Sequence, residues 1–145
     1  MDKFGFYRVA AASPTVVVGN PSANVSAILQ ALRDAGAQGC ELVVFPELSL
    51  TGYTCADLFF QESLLTAARQ ALLRLIHESA AITQATIIVG LPVSAGHRLY
   101  NAAAVIREGR LLGLVPKQHI PNYKEFYERR WFHPARANLR LEIDL

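Results

Sequence analysis

The feature that most constrains this 145-residue chain is an alternation in which two short, β-branched runs each follow a stretch of helical period. Val25, Ile28, Leu29, Leu32 and Ala35 recur at helical spacing over about residues 21 to 37, and Glu41-Leu42-Val43-Val44-Phe45 comes directly after. Leu64, Leu65, Ala68, Leu72, Leu75 and Ile76 share one face over about residues 62 to 80, and Thr86-Ile87-Ile88-Val89-Gly90 comes after them. Such continuously apolar runs read as strands buried on both faces. With Phe4 to Ala12 as a first strand, the order is strand, helix, strand, helix, strand, which favours parallel neighbours joined by helical crossovers. The punctuation agrees. Asn20-Pro21 suits an N-cap with proline in the first turn, Gly36 and Gly39 end that helix, and Pro46 stops the second strand. Leu48 to Ala56 reads as a loop, with Asp57 as a cap for the segment after it.

After Gly90 the pattern changes. Leu99 to Arg107 and Arg110 to Val115 are strand-like runs separated only by Glu108-Gly109, the composition of a tight hairpin turn, so the sheet is expected to be mixed. Pro121 to Arg130 reads as a polar and aromatic loop or short helix, and Leu139 to Ile143 alternates as a last strand. No internal repeat or linker is visible.

Composition narrows the function. Lys and Arg number 14 against 12 Asp and Glu, a net charge of +2 that suggests no nucleic-acid partner. Charged residues are 18% and hydrophobic ones 52%, which calls for more burial than usual, yet no apolar run approaches the ~18 residues of a spanning helix. The first residues lack the pattern of a secretory signal, and the two cysteines make no disulfide framework, so a cytoplasmic, reduced setting is expected. The sequence has no glycine-rich nucleotide loop, and His77, His97, His119 and His133 show no metal-ligand spacing.

Two charged residues stand at strand ends. Glu47 follows Phe45-Pro46 at the carboxyl end of a strand, where open α/β sheets build their crevices. Apolar walls there would tune a carboxylate toward proton transfer, although a solvated loop glutamate or a cap has the same signature. Lys117 follows Val115-Pro116 and suits either a developing oxyanion, an opposing carboxylate such as Glu47, or a snorkelling strand-end position. Tyr53 and the dense stretch Tyr123 to Phe132 could line a pocket or cover the core, and Cys40 and Cys55 read as small buried hydrophobes.

Five motifs occur in a characteristic order: Leu42-Val43-Val44-Phe45-Pro46-Glu47-Leu48, Thr51-Gly52-Tyr53, Gly90-Leu91-Pro92, Tyr100-Asn101-Ala102-Ala103 and Lys117-Gln118-His119-Ile120-Pro121. Together they resemble the nitrilase, or carbon-nitrogen hydrolase, superfamily. Pro121 to Phe132, Leu50 to Tyr53 and Asp57-Leu58-Phe59 most resemble its branch in the N-terminal glutaminase domains of glutamine-dependent NAD synthetases. The resemblance implies an α/β fold, a nitrilase-like αββα sandwich with a mixed sheet, of which residues 1 to 145 are the N-terminal part with no second domain. It implies a Glu, Lys, Cys triad that hydrolyses an amide through a thioester. Glu47 matches the general base and Lys117 the cation that stabilises the tetrahedral intermediate. Glu125, eight residues after Lys117, matches a second carboxylate, and Tyr53, Tyr123 and Phe126 match pocket positions. In that family the nucleophilic cysteine follows the lysine motif, and this sequence has no cysteine after Cys55, so the segment alone is expected to be inactive. Glutamine is the implied substrate, with ATP and magnesium belonging to a synthetase domain outside this segment. The implied partners are that domain or intact subunits in a homo-oligomer. An amidase acting on another small amide, or a non-catalytic segment that docks onto intact subunits, are the alternatives.

Overall fold

The computed structural model describes residues 5–136, so the strand expected over Leu139 to Ile143 lies outside the described residues. In chain order the elements are β1 (Val9–Ala11), α1 (Pro21–Ala37), β2 (Leu42–Val44), α2 (Glu62–Ser79), β3 (Thr86–Ala95), β4 (Arg98–Arg107) and β5 (Arg110–Pro116). Two short 3₁₀ turns, Ala56–Phe60 and Glu128–Arg130, lie in the connecting loops. The strands form one sheet in sequential order; β1, β2 and β3 are parallel, and β3, β4 and β5 antiparallel.

Local chemistry explains the boundaries. The Asn20 side chain accepts from Ala23 N at 3.1 Å and Pro21 occupies the first turn, so α1 begins where its spare backbone donors are met. The first strand is shorter than the run from Phe4 suggests, because its one strand partner among the described residues, β2, offers only Leu42 to Val44. By contrast β3 runs beyond Gly90 and through Pro92, which lies past the last residue paired with β2, so its missing donor can face away from β4. A hairpin at Gly96-His97 then joins β3 to β4 with positive φ at both residues, 54° and 62°. The expected Glu108-Gly109 hairpin has the same form, with φ of 51° and 70°.

Both helices pack on the same core. Val25, Ile28, Leu29 and Leu32 of α1 and Leu72 and Leu75 of α2 bury against Val43, Ile87, Val89, Leu91, Ala104 and Ile106. The described residues therefore supply one helical layer and one sheet, half of the four-layer arrangement that the resemblance implies. On the opposite sheet face Val9 and Val115 are 58% and 60% exposed and Val44 is also exposed. This corrects the expectation that the second strand is covered on both faces: within the described residues only the Val43 side is. A second cluster of Leu48, Cys55, Phe59, Leu64, Ile120, Trp131 and Phe132 binds the loops after β2 and β5 together.

Candidate active site

Glu47 leaves β2 in a turn that the sheet itself shapes. Leu48, fully buried, has a φ of 52°, a conformation unfavourable for a branched side chain, and the turn closes with Gly52 N donating to Leu48 O at 2.7 Å. What holds it is the backbone of β3: Leu50 N donates to Gly90 O at 3.1 Å. The contact is so close that a Cβ on Gly90 would stand 2.3 Å from Leu48 N and 2.8 Å from Pro46 O. From the helical side, Asn24, also buried, donates to Leu50 O at 3.1 Å and ties α1 to the same loop.

Lys117 leaves β5 at the same end of the sheet, its backbone N–H donating to Asn101 O of β4 at 2.8 Å. Its Nζ lies 2.6 Å from Glu47 Oε1, so the two strand-end charges do meet. A second carboxylate takes the other side of the ammonium: Glu128 Oε1 at 3.2 Å and Oε2 at 3.0 Å. The Glu128 side chain is 3% exposed and also accepts from the Tyr53 hydroxyl at 2.6 Å. Asn101 completes the cluster by donating from Nδ2 to Glu47 Oε1. Glu47, Asn101 and Lys117 border an open cleft of about 530 Å³ whose walls are largely apolar, among them Val44, Ile88, Ala103 and Val115.

The electrostatics follow from this arrangement. Burial of Lys117 would weaken its hold on the proton, but hydrogen bonds and attraction from Glu47 and Glu128 outweigh it and raise its pKa. Tyr53 is pushed above the ordinary phenol range, first by burial and then by its bond to Glu128, so it stays a donor. One lysine divided between two carboxylates leaves a net charge of −1.

The other sequence expectations divide. Tyr53 reaches the cluster. Tyr123 is exposed on the wall of an adjoining cleft of about 580 Å³ with Lys117, His119 and Arg129, and Phe126 is half-buried with its ring 5.8 Å from that of Tyr123. Glu125 is exposed and pairs with no described side chain, so the carboxylate beside the lysine is Glu128 instead. Asp57 does not cap α2. It accepts from Arg130 Nε and Nη2, both at 2.7 Å, and from Trp131 Nε1 at 3.0 Å, fixing the turn that carries Glu128. Cys55 is buried, donates to Thr51 O at 3.1 Å, and its pKa is raised by burial, so it is no nucleophile in this arrangement. Cys40 precedes β2, at the opposite end of that strand from Glu47.

Comparison with known proteins fits this geometry. A family model described as carbon-nitrogen hydrolase matches residues 8–142. Over 131 residues the chain is 46% identical to the glutamine-dependent NAD(+) synthetase of Mycobacterium tuberculosis, covering 90% of this chain and 19% of that protein. Against the synthetase of the same name from Thermotoga maritima it is 35% identical over 136 residues, covering 94% of this chain and 23% of that protein. The chain thus spans a small part of the length of these relatives. Among solved structures, a glutamine-dependent NAD(+) synthetase from Cytophaga hutchinsonii superposes with a TM-score of 0.85 at 29% identity, over 92% of this chain and 22% of that one. An amidase from Nesterenkonia sp., at 22% identity and a TM-score of 0.74, covering 90% of this chain and 48% of that one, shares the fold.

Proposed function

The chain belongs to the carbon-nitrogen hydrolase family, and on that premise we propose that it is the N-terminal part of a glutaminase domain, supplying the base and the cation for hydrolysis of the glutamine side-chain amide. One observation carries the reading: Lys117 Nζ is shared between Glu47 and Glu128 in a cleft at the strand ends. The two relatives compared above, both over 30% identical, are named glutamine-dependent NAD(+) synthetases, which favours glutamine over another small amide.

In this reading the nucleophile is a cysteine of the same domain outside this segment. Glu47 takes the thiol proton as sulfur attacks the amide carbonyl, and Lys117 stabilises the negative oxygen of the tetrahedral intermediate. Glu47 then passes the proton to the departing nitrogen, so ammonia leaves and a thioester remains. Water, deprotonated by Glu47, attacks the thioester; the thiolate takes back the proton and glutamate is released. Ammonia would serve a synthetase domain of the same polypeptide, the place for ATP and magnesium, in a cytoplasmic homo-oligomer. Tyr53, Tyr123 and Phe126 flank the amide side of the pocket in this reading. The 145-residue segment by itself should release no ammonia, because neither of its cysteines reaches the Glu47 cleft.

The test is ammonia release from glutamine by the intact enzyme that contains this segment, in parallel with Glu47→Gln and Lys117→Met. Both variants should lose about 10²- to 10⁴-fold in kcat, the span of a positioned acid-base group. Full activity in either one removes the assignment.

A further inference from the structure

We propose that Asn101 positions Glu47 for proton transfer by holding Oε1 together with Lys117, so that Oε2 is the oxygen that takes and returns the proton. The reaction served rests on the glutaminase reading; the geometry does not.

Asn101 is 3% exposed and lies on β4 opposite Pro92, a rigid place in the middle of the sheet. Its two polar ends face two different catalytic groups. The backbone carbonyl accepts the Lys117 N–H at 2.8 Å, and the side-chain Nδ2 donates to Glu47 Oε1. Only the amide nitrogen can serve there, since the amide oxygen would set two acceptors against each other. Lys117 Nζ reaches the same oxygen at 2.6 Å, whereas no described group bonds Oε2. Two donors therefore saturate one oxygen and leave the other open.

The lysine cannot do this alone. Its three N–H donors are matched by Glu47 Oε1, Glu128 Oε1 and Glu128 Oε2, so stabilising an oxyanion means loosening one of these bonds. Asn101 is neutral and has no such second duty. Its bond to Oε1 survives both states of the base, because a carboxyl protonated on Oε2 still offers Oε1 as a carbonyl acceptor. A donor on Oε2 would instead block the proton. Among the described residues, the charged and titratable groups facing Glu47 are Lys117 after β5, Glu128 on the 3₁₀ turn and Tyr53 on the loop after β2.

Two measurements test this. In the amide ¹H–¹⁵N spectrum, the Asn101 Nδ2 protons should resonate downfield of ordinary asparagine side chains and move back in Glu47→Gln. Indifference to that substitution overturns the contact. In the intact enzyme, Asn101→Ala and the isosteric Asn101→Asp should each lower kcat about 100-fold with little change in the KM for glutamine. Asn101→Asp should also move the acid limb of kcat/KM upward by about one pH unit, because a second carboxylate beside Glu47 favours its protonation. Melting temperatures within a few degrees of the parent for Asn101→Asp separate this from a folding defect. A folded Asn101→Asp with unchanged kcat and pH profile overturns the proposal. Failure of the glutaminase reading shows elsewhere, in a wild-type enzyme that releases no ammonia from glutamine.

Discussion

The Tyr53 hydroxyl donates to Glu128 Oε1 at 2.6 Å, joining the loop after β2 to the turn after β5 across 75 residues of chain. The phenol stays protonated, so Glu128, nearly sealed from water, accepts from two donors of different kinds, a neutral hydroxyl and the Lys117 ammonium. Tyr53→Phe removes one of them without changing shape. Chemical denaturation of the variant should show a loss of about 1–2 kcal/mol, the cost of leaving a buried acceptor short of a donor.

Glu128→Ala should be worse. It leaves Lys117 with Glu47 alone and empties a buried site, so stability should fall by about 2–4 kcal/mol. Any activity that remains should show weaker dependence on Tyr53, since the two residues act through one contact; a double-mutant cycle on stability measures that coupling.

Gly90→Ala tests the shape of the turn that carries Glu47. The added methyl would meet backbone atoms of Pro46, Glu47 and Leu48 rather than a movable side chain, so the loop must shift. Expected are a stability loss of about 1–3 kcal/mol and a fall in kcat in the intact enzyme as Glu47 moves off Lys117. A stable, fully active alanine variant contradicts the rigid placement described above.

The sequence shows one half of this site better than the other. Glu47 and Lys117 both stand one residue after a proline that ends an apolar strand, and those strand-end positions, joined to the motif match, imply their meeting. Glu128 has no such marker. It sits three residues from Glu125 in one charged stretch, and which of the two turns inward depends on Asp57, 73 residues earlier, gripping Arg130. Periodicity carries no information about a contact of that separation. The Gly96-His97 hairpin is hidden for a different reason: a histidine at positive φ is uncommon, and Pro92 reads as the end of a strand rather than its middle.

The grip of Asp57 has its own readout, because Trp131, which it also accepts from, is the sole tryptophan of the sequence. Hydrogen bonds from Arg130 and then from Trp131 hold the Asp57 carboxyl well below the usual range near 3.9. A depressed folded-state value means that its contribution is present above the unfolded value and is lost as pH falls through the lower, folded one. Tryptophan emission should therefore stay constant as pH falls through about 4 and change only below that. Asp57→Asn should abolish this acid transition, and an unaltered transition in the variant assigns it to another group.

The antiparallel half of the sheet has a consequence for the order in which the site is assembled. Two-residue turns join β3 to β4 and β4 to β5, so this meander rests on contacts near in sequence, of the kind that form within about 1–10 μs in isolated hairpins. Glu47 is brought to it by parallel pairing of β2 with β3 across the whole of α2, a far longer loop to close. Asn101 and the start of the Lys117 loop are thus expected to form a template before Glu47 is placed. On this ordering Glu47 should arrive last, joining a Lys117 already set at the sheet's edge.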